Sequence, residues 1–258
     1  MNISEMLGEY ERDYALAMLG VEDFPYQKLS GKTIVVDGES EYMKLTVCMS
    51  LLALNDKEKL SIKVLMLGNG NELSEKLAER NDFSLCSYEQ AAATEYNFFI
   101  STGICGLELD GTSAEYCRIT NNFARAISTA KSCLERCILL SDYRVYGELE
   151  RGLVISENEA GFVPFSNDGD MSQTIAVSIE TYFSAYAKQF NLPTIILRSG
   201  ILLGAKAELP KNFTDELFNA VAEGKQISLP NTRKKYSFTY LNEVIHALLY
   251  AFYEFKEN

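Results

Sequence analysis

The sequence predicts an α/β protein built on a doubly wound parallel sheet with helices on both faces. Three observations carry that expectation. Short β-branched runs such as Thr33-Ile34-Val35-Val36 read as strands buried on both sides. They alternate with longer stretches whose apolar residues recur at helical spacing. Alternation of this kind joins parallel strands through βαβ crossovers. At 258 residues, with 47% hydrophobic and 23% charged side chains, the chain can bury one large core.

Taken in order, residues 4–19 read as an amphipathic helix with Leu7, Tyr14 and Met18 available for one face, N-capped by Asn2 or Ser4. With the loop that carries Pro25, this helix makes a lead-in over residues 1–28, and residues 29–258 form a single domain. Strand 33–36 opens that domain, and helix 41–54 follows with Met43, Val47, Leu51 and Leu54 at helical spacing. Strand 61–67, helix 72–79, short strand 83–86 and strand 98–100 continue the alternation. A long helix over 112–132 then leads to strand 137–140. Residues 148–171 are acidic, contain glycine and lack a period, so they read as a loop. Helix 172–190, an Asn191-Leu192-Pro193 turn, strand 194–198, a loop closing at Gly204, and helices 213–223 and 241–255 complete the chain.

Charge and composition remove several classes of function. The chain has 36 acids against 24 bases, a net charge of −12, so phosphate backbones would repel it and nucleic acid is not expected as a partner. Arg233-Lys234-Lys235 is too short a basic run to reverse this. No apolar run approaches the roughly 18 residues a membrane span needs, and the acidic first residues carry no signal-peptide pattern. Six cysteines with no C-x-x-C spacing read as reduced thiols of a cytoplasmic protein, with Cys133 and Cys137 straddling a helix end and the next strand. One histidine, His246, cannot build a multi-histidine metal site, and no metal is expected.

Two stretches carry a resemblance. Residues 180–204, ETYFSAYAKQFNLPTIILRSGILLG, and residues 141–147, SDYRVYG, resemble the extended short-chain dehydrogenase/reductase family, the NAD-dependent epimerases and dehydratases of nucleotide sugars. The resemblance implies a Rossmann-like, NAD(P)-binding type of domain, here with a reduced C-terminal substrate lobe using parts of 199–240. It also places the family's reacting groups. The catalytic hydroxyl falls on Asp142, with Ser141 one residue earlier. Alignment back from Glu180 puts Ser172 at the tyrosine position and Ala176 at the lysine position.

Those exchanges remove the family's chemistry, in which a tyrosinate takes a proton and a lysine lowers its pKa. None of the 15 tyrosines has a lysine four residues on; Tyr182, on the same helix, is the alternative base. For the cofactor, the family's G-x-x-G-x-x-G turn is here Gly38-Glu39-Ser40-Glu41-Tyr42-Met43-Lys44. Gly38, Ser40 and Lys44, with Ser101 and Thr102 after the fourth strand, are what remains to meet a dinucleotide. Glu41 puts a negative side chain where pyrophosphate would sit, and the second strand ends in Gly68-Asn69-Gly70-Asn71 with no acid for a ribose.

The expectation is therefore an inactive homologue with no NAD(P) bound, and the alternative is an active enzyme with an altered site. Arg233, near Tyr236-Ser237-Phe238-Thr239-Tyr240, is the candidate contact for a nucleotide sugar. In the family's dimers, helices matching 112–132 and 172–190 pack against their copies. Ile175, Ile179, Tyr182, Phe183 and Tyr186 point to a homodimer, or to a heterodimer with an active family member, through that surface.

Overall fold

A computed structural model describes residues 25–147, 155–159, 171–203, 219–226 and 237–253. The expected helix over 4–19, most of the loop over 148–171, most of the helix over 213–223 and Arg233 lie outside the described residues. Six parallel strands form the main sheet in the order β3-β2-β1-β4-β5-β6. They are β1 (Thr33–Asp37), β2 (Lys63–Leu67), β3 (Phe83–Cys86), β4 (Tyr96–Ser101), β5 (Cys133–Asp142) and β6 (Thr194–Ser199). The order reverses between β1 and β4, where Ile34 pairs with Phe98 and Asp37 with Ser101. In sheets of this kind the crevice at such a reversal, beyond the carboxyl ends of the strands, is where ligands bind.

The pleat of β1 divides the core in two. Ile34 and Val36 face one layer and Val35 the other, all three fully buried. Under Ile34 and Val36 lie α1 (Glu41–Glu58) and α6 (Leu241–Ala251). Every residue of α1 from Met43 to Asn55 is buried, which is why the helix is mostly apolar on all sides, with Lys44, Thr46, Ser50 and Asn55 as the polar exceptions. Its Asn55 amide bonds both the N–H (2.9 Å) and the carbonyl (3.2 Å) of Ile62, tying the helix end to the start of β2. Under Val35 lie α3 (Tyr88–Ala92), α4 (Ser113–Thr129) and α5 (Ser172–Phe190), with Ile119, Phe123, Ile175 and Phe183 packed inward. A short α2 (Glu72–Leu77) opens on an Asn71/Ser74 capping box.

Three details differ from the sequence expectation. β5 starts at Cys133, not Cys137, with a register shift opposite Tyr96 and Phe98. Cys133 and Cys137 therefore share one strand rather than straddling a helix end, and the Cys133 thiol has the carbonyls of Asn97 (3.1 Å) and Arg136 (2.9 Å) as acceptors for its one hydrogen. The five-residue α3 was not expected; its N-terminus is fixed by a Ser87/Gln90 capping box. The stretch after β6 is not all loop, because β7 (Ile201–Leu203) pairs in parallel with β8 (Phe238–Tyr240). Among the described residues no helix is long and apolar enough to cross a membrane, and no group of three His, Cys, Asp or Glu side chains could hold a metal.

Candidate functional site at the sheet's reversal

The turn after β1 sits at the reversal of strand order. Gly38 has φ +149° and lies so close to β4 that an added Cβ would come within 1.9 Å of Thr102 Oγ1. Only glycine fits there. Thr102 itself is fully buried; its N–H donates to the Asp37 carbonyl at 2.8 Å, while its hydroxyl has no partner. Ser101 is buried beside it, and its hydroxyl lies 3.5 Å from the Asp37 carboxylate.

Asp37 is a buried acid that the sequence reading passed over. Burial pushes its pKa up to about 7; Lys44 and the Gly38 N–H oppose the rise, Glu39 adds to it, and Ser101 opposes it slightly. Glu39 was also passed over. Its N–H donates to the Gly103 carbonyl at 3.0 Å. Its carboxylate accepts from Asn122 Nδ2 at 2.9 Å and pairs with the Arg118 guanidinium, both on α4. A turn reading Asp-Gly-Glu-Ser-Glu, three carboxylates in five residues, was the available signal.

The start of α1 is satisfied from within the chain. Ser40 is its N-cap and accepts from the Met43 N–H at 3.3 Å. Glu41 occupies the first turn, where negative charge is favoured, and pairs with Lys44 at 2.6 Å. Lys44 is buried and also donates to the Leu67 carbonyl at the end of β2, at 3.2 Å. Gly38, Ser40, Lys44, Ser101 and Thr102 are thus brought to one place, as the sequence order requires, but apart from the unpartnered Thr102 hydroxyl their polar groups are engaged within the chain.

At the end of β5, Asp142 is buried and held by Arg144. The Arg144 Nε lies 2.8 and 2.9 Å from the two carboxylate oxygens, its Nη2 donates to the same group, and its backbone N–H donates at 2.8 Å. Arg144 Nη2 also reaches the carbonyls of Ile104 (3.3 Å) and Leu107 (3.1 Å), drawing the loop after β4 toward β5. On α5, Ser172 is the first helical residue and Ala176 is buried against the sheet. Glu180 takes a two-pronged bond from Arg198 (2.9 and 2.7 Å), whose guanidinium also covers the Tyr146 ring at 4.9 Å. Tyr182 points elsewhere. It is 44% exposed and packs edge-on against Phe123, in a row with Tyr186 and Phe190. Asp142 and Tyr182 have separate sets of partners.

Among the described residues, this turn does not fit a dinucleotide. The space lined by Asp37, Gly38, Glu39, Gly103, Ile119, Phe123 and Ile179 is about 10 Å³, room for one water at most. The carboxylates of Glu39 and Glu41, paired with Arg118 and Lys44, put negative charge in the turn that opens α1, whereas a pyrophosphate at a helix N-terminus needs free N–H groups and positive charge.

A family model described as the NAD dependent epimerase/dehydratase family matches residues 110–258. Similar solved structures include a UDP-glucuronic acid 4-epimerase from Bacillus cereus in complex with UDP-glucuronic acid and NAD. It is 17% identical with a TM-score of 0.65, over 88% of this chain and 74% of that one. A UDP-N-acetylglucosamine 4-epimerase from Bacillus cereus is 16% identical with a TM-score of 0.66, over 86% and 72%. A dTDP-glucose 4,6-dehydratase from Bacillus anthracis str. Ames, in complex with NAD, is 12% identical with a TM-score of 0.60, over 86% and 72%. No curated protein matches. At these identities the structural likeness is one of fold, whereas the family match covers more than half of the sequence. This chain belongs to the NAD dependent epimerase/dehydratase family.

Proposed function

We propose that this family member lacks the family's hydride-and-proton relay and acts as a binding or partner protein in nucleotide-sugar metabolism. One observation carries the reading: the positions matching the reacting groups hold Asp142 locked by Arg144, Ser172, and an Ala176 buried against the sheet. A carboxylate whose oxygens are both taken by a guanidinium is not free to reach a substrate proton, and alanine supplies no charge to activate a base. The acid-lined turn at Gly38 supports the companion expectation that no NAD(P) is retained.

The nucleotide-sugar setting comes from the family and from neighbours such as the Bacillus cereus epimerase bound to UDP-glucuronic acid. The β7–β8 pair is the proposed base of a reduced substrate lobe, and Arg233 its proposed contact with a nucleotide sugar. Six free cysteines suit a reducing, cytoplasmic compartment. For the partner surface, α5 buries Ile175, Ile179 and Phe183 under the sheet but leaves the Tyr182–Tyr186–Phe190 row on its outer side next to α4. A homodimer, or a heterodimer with an active family member, would cover that row.

The test has two arms. Purified protein is incubated with UDP-, GDP-, CDP- and dTDP-sugars plus NAD(P) and followed by mass spectrometry, and NAD and NADP are titrated calorimetrically. No conversion and no binding are expected; conversion that survives purification, or micromolar NAD(P) binding, overturns the reading. Mass in solution at several concentrations then separates a homodimer from a monomer.

A further inference from the structure

We propose that Glu39 is a tethered anion that keeps the β1–β4 crevice shut, seated on Arg118 and Asn122 where the diphosphate of an outside ligand would otherwise be held. The proposal rests on the reading that the wild-type chain retains no NAD(P), and it names the residue responsible. Glu39 leaves the β1–α1 turn and crosses to α4, 79 residues on in sequence at Arg118. Its side chain is only 13% exposed although Arg118 is 53% exposed, so the guanidinium reaches in from solvent to meet a carboxylate sunk in the crevice. Asn122 holds the other oxygen at 2.9 Å, and the Glu39 N–H is anchored to Gly103 at 3.0 Å.

The seat has the chemistry of a phosphate site. A guanidinium and an amide N–H serve carboxylate and phosphate oxygens alike. A second, independent group at the same turn, the Thr102 hydroxyl, is fully buried against Gly38 and has no hydrogen-bond partner. Of the neighbouring acids, Glu41 is paired with Lys44 at 2.6 Å and Glu115 meets Arg118 only at 4.0 Å within α4, which leaves Glu39 as the closer anion on Arg118. Tethering gives a group an effective concentration in the millimolar range or above, so an outside diphosphate of ordinary affinity loses the competition.

The test is calorimetric titration with inorganic pyrophosphate of wild type, Glu39→Ala, Glu39→Gln and the double variant Glu39→Ala/Arg118→Ala. Circular dichroism and urea midpoints establish that each is folded. The expected result is at least tenfold tighter pyrophosphate binding by Glu39→Ala than by wild type, a smaller gain in Glu39→Gln, and loss of the gain when Arg118 is also removed. Should Glu39→Ala fail to fold, the near-isosteric Glu39→Gln carries the same comparison. Folded variants that bind no tighter than wild type, or a gain that persists without Arg118, overturn the proposal. That failure leaves the proposed function standing, whereas NAD binding by the wild-type chain sinks both.

Discussion

Asp37→Asn is the substitution that reports most directly on the crevice. The carboxyl is 6% exposed, and its pKa is raised from the ordinary 3.8 to about 7. Between those two values the folded chain holds a proton that the unfolded chain has released. Stability from this group is therefore full below pH 3.8 and is lost as pH rises through about 7. At about 1.4 kcal/mol per pH unit, the rise corresponds to a ceiling of about 4 kcal/mol, and relaxation around Lys44 and Ser101 will reduce it. Asparagine keeps the shape and can still bond Ser101 but cannot ionise. The variant should therefore be about 1–3 kcal/mol more stable than wild type at pH 8, with the difference falling to less than half of that by pH 5 and vanishing only below the unfolded value of 3.8. Urea unfolding of both proteins at pH 5, 6, 7 and 8 measures this. Parallel pH dependences for the two chains would refute the reasoning, because they would mean that Asp37 ionises in the folded chain as readily as in the unfolded one.

Arg144→Ala should cost roughly 3–5 kcal/mol by leaving the buried Asp142 charge unpaired, and adding Asp142→Asn should restore most of it; urea unfolding of the single and double variants checks both. Phe183→Ala, which empties a fully buried site on α5, should cost about 3–5 kcal/mol. Tyr182→Ala, one residue away and half exposed, should cost about 1 kcal/mol or less in a monomer; equal losses would mean that α5 is covered on both sides. Glu180→Ala frees Arg198 from its two-pronged partner and should lower stability by about 1–2 kcal/mol, less in high salt. Gly38→Ala should lower stability by roughly 2–4 kcal/mol through contact with Thr102 and the positive φ, and an unchanged melting temperature would contradict the close approach of β1 and β4.

Most of the sheet was legible because its strands are apolar on both sides. Ile34-Val35-Val36 and Phe98-Phe99-Ile100 admit few other readings. The first half of β5 was not, because Leu134 is 60% exposed and Glu135 and Arg136 are polar. Their partners come from elsewhere: Glu135 takes Lys32 and Asn97, and Arg136 donates to the Ala251 carbonyl at 2.8 Å. The β7–β8 pair escaped because its two members lie 37 residues apart, Ile201 opposite Phe238. Site residues fared similarly. Gly38, Ser40, Lys44, Ser101 and Thr102 follow from motif order; the Asp142–Arg144 pair was not read, although its members lie two residues apart. The Glu39–Arg118 contact was not, since no local pattern announces a partner on another helix.

The parallel β1–β4 seam has a consequence for how the chain is made. No hairpin can bring these strands together, and the pairing of Ile34 with Phe98 waits for 64 residues to follow. At a synthesis rate of about 5–20 residues per second, that delay is roughly 3–13 s. Throughout it, one edge of the Ile-Val-Val strand stays uncovered on the ribosome, with its backbone groups open to any passing strand. Newly made chains are thus at their stickiest after β3 has emerged and before β4 has. Holding a nascent chain with residues 87–95 at the mouth of the ribosomal exit tunnel should bring chaperone binding to its peak, and further elongation that exposes residue 101 should bring it down.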